Sequence, residues 1–177
     1  MKLVTFMSGA SKPHTNVITM TKSHLRGLGV KEAETFRKSD VATIQLTQAI
    51  ELFLQQDFIC SLTLAGAAES ILVGLVVSDG KRPSHEVSYD LMRTFRAVLD
   101  LDPAIEQKSK SSIFKVWNSG RNMLKHQDQS DKTDFQMNDC DEAYWMVRRA
   151  LRNATTLNLE IQNKVAFEAW VQENSTL

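Results

Sequence analysis

The chain has 177 residues, 42% of them hydrophobic, so it is long enough to bury one core without disulfide or metal cross-links. Seven glycines and three prolines are fewer than is usual for this length, which favours helices over a loop-rich fold. The charges of the 21 basic and 21 acidic residues cancel. This balance argues against a generally cationic protein for nucleic acid or membranes, but it allows a local basic site.

The cysteines and the N-terminal residues predict a cytoplasmic protein. Cys60 and Cys140 form no pairing pattern, and the first ten residues lack the continuous apolar run of a signal peptide. Residues 58–77 are long enough to cross a membrane, but Glu69 lies near their middle. Because a carboxylate costs a few kcal/mol in hydrocarbon, we expect no membrane partner.

Apolar residues recur at helical spacing in the chain from Ser39 onward, and no strand alternation of useful length is present. Residues 1–38 show no clear period and are interpreted as a loosely specified lead-in, whereas residues 39–177 are predicted to form a single all-α domain. We expect a bundle of five or six helices, with a fresh helical turn near Arg121. The predicted helices begin at Ser39-Asp40, Asp57, His85 (capped by Ser84), Asp102-Pro103, Asp139 or Asp141, and near Ile161.

The second predicted helix, residues 57–77, is apolar on every side, which is typical of a helix that is buried all round. Its Ala65-Gly66-Ala67-Ala68 run presents backbone rather than bulky side chains, so a neighbour can approach closely. We therefore expect it to be the central buried helix. The third predicted helix carries an apolar stripe of Val87, Leu91, Phe95 and Val98.

A locally cationic segment contains the main candidate site. Between Gln107 and Gln127 there are five basic residues and no acid, and the next fifteen residues carry six acids and one lysine. Within this segment, Arg121 and His126 suit work on a phosphodiester. A guanidinium neutralises charge on phosphate, while an imidazole that titrates near neutrality moves a proton.

The Arg-x4-His spacing, on a late helix that follows a buried alanine-rich helix with one acid, resembles the HEPN superfamily. The resemblance implies a helical bundle that forms a homodimer and binds or cleaves RNA without a metal ion, in toxin–antitoxin, defence or stress systems. Arg121, Asn122 and His126 would be its catalytic residues, with Glu69, Lys125 and Asp128 in support. The Asn122-x-x-Lys125-His126-x-Asp128 stretch also resembles small uncharacterised bacterial all-helical proteins.

Alternatives remain open for each of these residues. Arg121 and Lys125 are also consistent with a solvated face, with His126 packed against the acidic loop of a non-catalytic module that binds a protein partner. Glu69 is expected to pair with Arg121 or with Arg148, Arg149 or Arg152, either as a core ion pair or as a carboxylate that orients the site.

Other motifs give little support for further chemistry. The acids near His126 fit neither a zinc nor a calcium pattern, and no phosphate-binding glycine loop is present, so we expect no metal and no nucleotide cofactor. The three tryptophans are interpreted as core or interface anchors, at positions 117, 145 and 170.

Overall fold

A computed structural model describes residues 33–99, 109–126 and 133–174. The chain divides into two units, Met1–Thr35 and Phe36–Leu177, and every described helix belongs to the second unit. Most of the predicted lead-in, residues 1–32, lies outside the described residues. The seven described helices are α1 (Lys38–Leu54), α2 (Phe58–Ser78), α3 (Ser84–Leu99), α4 (Lys110–Trp117), α5 (Ser119–Lys125), α6 (Asp139–Thr156) and α7 (Lys164–Asn174).

The all-α fold class is confirmed, since the described ranges contain helices and no strand. The described residues contain seven helices rather than five or six, because the helical turn predicted near Arg121 is a separate helix, α5, after a break at Asn118. The Asn118 side-chain amide donates to the carbonyl of Phe114 at 2.8 Å and so caps the end of α4. The predicted start at Asp102-Pro103 lies outside the described residues.

Side-chain capping explains where α2 and α6 begin. The Asp57 carboxylate accepts from the backbone N–H of Cys60 at 3.2 Å, and the Asn138 side chain accepts from that of Asp141 at the same distance. The predicted cap at Ser39-Asp40 is wrong. The N-cap of α1 is Arg37, whose carbonyl already accepts from Val41, and its side chain makes no capping bond.

Helices α1, α2, α6 and α7 supply the hydrophobic core. Phe53 of α1 is fully buried, and its ring makes edge contacts with Phe58, Phe167 and Trp170 at centroid distances of 5.1, 5.2 and 4.8 Å. These contacts tie α7 to the α1–α2 pair. Aromatic edge contacts of this kind contribute about 0.5–1.5 kcal/mol beyond the burial of their area.

Helix α2 packs against α1, α5 and α6, but it is not buried on every side. Leu62, Ala65 and Leu72 are fully buried, whereas Ile59 and Val77 are 42% and 58% exposed. The prediction that α2 is buried on every side is therefore wrong, because the face that carries Ile59 and Val77 is exposed. Among the described helices, α2 alone has the length and apolar composition to cross a membrane, a test that core helices also pass.

Helix α3 is attached to α6 through its first residue, Ser84. The Ser84 backbone N–H donates to the Asn153 side chain at 2.7 Å, and the Ser84 hydroxyl donates to the carbonyl of Arg149 at 3.0 Å. The described part of the predicted apolar stripe faces solvent, with Leu91 and Phe95 50% and 62% exposed, and the side chain of Val98 lies outside the described residues. This attachment brings the residue after Ser84, His85, towards the middle of α2.

Candidate functional site

Glu69 lies at the centre of a polar cluster on the inner face of α2. Its side chain is 5% exposed, and its Oε1 accepts from Nη2 of Arg149 at 2.8 Å. Nη1 of Arg121 lies 3.6 Å from the other carboxylate oxygen, Oε2. Glu69 therefore pairs with two of the four arginines predicted as its partners, one from α5 and one from α6.

Arg149 of α6 is held in place by α2 and by the break between α4 and α5. Besides Glu69, its Nη2 donates to Oδ1 of Asn118 at 2.8 Å, and its Nη1 donates to the carbonyl of Trp117 at 3.0 Å. The break between α4 and α5 thus supplies two acceptors to a guanidinium that is only 11% exposed. A buried charge with this many acceptors is fixed in direction as well as compensated.

Arg121 reaches α2 because residue 66 is a glycine. A Cβ atom on Gly66 would lie 2.7 Å from Cγ of Arg121 and closer still to its Cδ, distances that real side chains do not show. In this space Nη1 of Arg121 donates to the Gly66 carbonyl at 3.3 Å and to the Ser70 hydroxyl at 2.8 Å. The close approach predicted for the small-residue run is therefore made by an arginine side chain.

His85 is the residue that sequence reasoning missed. Its Nδ1 lies 3.9 Å from Oε1 of Glu69, and its ring meets the edge of Phe114 at a centroid distance of 4.8 Å. Burial lowers the pKa of His85 more than the nearby Glu69 raises it, so the imidazole is neutral at physiological pH. The residues around His85 in the sequence do not indicate a site, because His85 reaches Glu69 only through the attachment of α3 by Ser84.

These side chains border an open cavity of about 260 Å³, which we name the Glu69 cleft. Three nitrogen atoms of its lining residues are buried without a hydrogen-bond partner: Nε of Arg121, Nε of Arg149 and Nδ1 of His85. The cleft is lined by Glu69, Ser70, Val73, His85, Phe114, Asn118, Arg121 and Arg149.

Only two of the predicted site residues line this cleft, Glu69 and Arg121. Asn122, Lys125 and His126 are exposed and are not among its lining residues. His126 ends α5 in an extended conformation, with φ −132° and ψ 144°, so it leaves the helix that carries Arg121. Asp128 lies outside the described residues.

A second cavity of about 330 Å³, which Arg149 also lines, lies between α3, α4 and α6, and we name it the Trp145 groove. Its walls combine two tryptophans and a valine with charged side chains. The lining residues are Ser88, Val116, Trp117, Asp141, Glu142, Trp145, Arg148, Arg149 and Arg152.

Comparison of the chain with family models, curated proteins and solved structures gives no match.

Proposed function

We propose that the protein is an HEPN-like RNA-binding protein whose Glu69 cleft receives a phosphate group of single-stranded RNA. The observation that carries the proposal is the convergence of Arg121 and Arg149 on one carboxylate in a cavity open to solvent. Glu69 is the only acid among the described lining residues, so the two arginines give the lining a net charge of +1.

The hydrogen-bonding capacity of the cleft supports the same ligand. Arg121 and Arg149 both line the cleft. A phosphate oxygen is a charged acceptor for a guanidinium group, and guanidinium–phosphate contacts are among the stronger hydrogen bonds in proteins.

Fluorescence anisotropy with a labelled single-stranded RNA oligonucleotide tests this proposal. Arg121→Ala is expected to weaken binding by about ten- to a hundredfold, because a charge-assisted contact contributes about 1.5–3 kcal/mol. It should also reduce the slope of log affinity against log salt concentration by about 1. Arg37→Ala removes the same charge from an exposed position outside the cleft and serves as the control.

Equal affinity and equal salt slope in both variants would refute the phosphate site. Thermal melts of each variant separate loss of binding from loss of folding. Loss of RNA binding together with retained binding of a protein partner would favour the non-catalytic interaction module.

A catalytic role is a second candidate, favoured by the exposure of His126. In the cleavage of RNA, the 2′-oxygen attacks phosphorus while the bond to the 5′-oxygen breaks. The imidazole takes the proton of the 2′-hydroxyl, and the resulting imidazolium gives that proton to the departing 5′-oxygen. His126 would move the proton, Arg121 would neutralise the phosphate charge, and Asn122 would orient either group, with Lys125 and Asp128 in support.

Because His126 is absent from the cleft that contains Arg121, we propose that cleavage takes place in a homodimer, where a second copy supplies the histidine. Cleavage should persist in EDTA and leave 2′,3′-cyclic phosphate ends. His126→Ala should abolish cleavage and spare binding, whereas Arg121→Ala should weaken both. Equal activity in the wild type and both variants, or no activity in any of them, would leave binding as the function.

The proposed function also includes the oligomeric state and the cellular location of the protein. A bundle in which α2 is the central helix would bury the exposed face of α2 against a second copy. A cytoplasmic location, in a bacterial toxin, defence or stress system, fits a protein that acts on RNA.

A further inference from the structure

The Trp145 groove differs from the Glu69 cleft in its chemistry. Trp145 is 59% exposed and Val116 is 61% exposed, although large apolar side chains usually avoid water. The Trp145 ring meets the edge of Tyr144 at a centroid distance of 4.9 Å, which supports the indole from within its own helix. The groove therefore presents a supported aromatic surface that nothing covers within the described part of the chain.

The polar groups around this aromatic surface include both donors and acceptors. Arg148, Arg149 and Arg152 follow one another along α6, while Asp141 and Glu142 occupy its first turn. Burial raises the pKa of Glu142, so its carboxyl takes up a proton more readily than a free glutamate does. A purely anionic ligand would be repelled by the acidic end, whereas a nucleobase edge carries donors and acceptors that suit carboxyl groups and arginine alike.

The groove also shares one lining residue with the proposed phosphate site. Arg149 lines both cavities, so the two lie on neighbouring sides of one side chain. In a nucleotide, the ribose connects a phosphate to a base, so the two groups could occupy two neighbouring cavities. Aromatic platforms beside cationic grooves are the usual means by which proteins bind single strands, since each base offers a flat face for stacking.

We propose that the Trp145 groove is a base-stacking subsite, in which a base of single-stranded RNA lies against Trp145 while the adjoining phosphate occupies the Glu69 cleft. The inference rests on the proposed function for the location of that phosphate. It assigns Trp145 a role in binding that is separate from the charge of Arg121.

The test compares two labelled RNA strands of equal length, one with bases and one abasic, in anisotropy titrations with the full chain. Wild-type protein is expected to bind the base-containing strand about tenfold more tightly, a difference typical of one stacked base. Trp145→Ala should remove this preference and leave the affinity for the abasic strand unchanged. Trp145→Phe should restore most of it, and Val165→Ala, at an apolar position 84% exposed on α7, is the control.

Equal affinities of wild-type protein for the two strands would overturn the subsite. So would equal weakening of both strands by Trp145→Ala. A change in the sedimenting mass of Trp145→Ala with RNA binding intact would reassign the groove to a contact between copies of the chain. Failure of the phosphate site is distinguishable, because it appears as an unchanged salt slope in Arg121→Ala.

Discussion

Glycine 66 determines where Arg121 lies. The absence of a Cβ atom lets the arginine cross α2 and reach Glu69 and Ser70. Gly66→Ala is expected to displace Arg121 and destabilise the protein by about 1–3 kcal/mol, as overpacking of a filled site does. Urea unfolding monitored by circular dichroism measures this change.

Gly74 of the same helix provides the matched control. A Cβ atom there would meet nothing within 4 Å, so Gly74→Ala should stabilise the protein by about 0.5–1 kcal/mol through helix propensity alone. Equal stabilisation by both substitutions would show that Arg121 does not depend on the space at Gly66.

The ion pairs of Glu69 give a second prediction at this scale. Glu69→Ala leaves Arg149 and Arg121 without their shared buried carboxylate, and we expect the free energy of unfolding to fall by about 3 kcal/mol. Glu168→Ala breaks the Arg148–Glu168 pair, whose side chains are 27% and 38% exposed, and should cost less than about 1 kcal/mol. Similar losses in the two variants would mean that Glu69 is solvated.

The sequence indicated Glu69 and its arginine partners because a carboxylate within an apolar helix needs a cation. It did not indicate His85, whose place depends on the bonds of Ser84 to α6, which connect residues far apart in the chain. The sequence also grouped Arg121 with His126 on spacing and local charge, and this stays a prediction. His126 adopts extended backbone at the end of α5 and is not among the residues that line the Glu69 cleft.

At the scale of elements, a larger side chain should affect stability differently on the buried and the exposed face of α2. Ala68 is fully buried in the core, and Ala67 beside it is exposed. Ala68→Leu should overpack the α2 interface and cost about 1–3 kcal/mol, whereas Ala67→Leu should change stability by less than about 0.5 kcal/mol. Thermal melts of both variants check the difference, and a costly Ala67→Leu would show that this face is covered.

The helices themselves follow from local sequence more closely than their packing does. Asp57 caps α2 as predicted, because capping needs only neighbouring atoms. The stripe on α3 has the spacing of a core face yet points outward, since the core is filled by α1, α2, α6 and α7. Periodicity identifies an apolar face, but the other elements decide whether that face is covered.

For the whole molecule, His85 couples stability to pH. It faces Glu69 of α2, Arg149 of α6, Lys110 of α4 and Glu86 of its own helix, and burial lowers its pKa from the ordinary 6.5. Below about pH 6.5 the unfolded chain takes up a proton that the folded protein resists. Stability is therefore expected to fall as pH decreases through this value, and to be retained above it.

Urea unfolding at pH 7.5 and pH 5.5 measures this dependence. His85→Gln removes the titrating group, so its free energy of unfolding should decrease less between the two pH values than that of the wild type. His126→Gln alters an exposed histidine outside the cleft and should retain the wild-type decrease. If His85→Gln lost stability as steeply as the wild type, the neutral imidazole beside Glu69 would not be the group responsible, and the acid sensitivity of the fold would have to arise from its carboxylates.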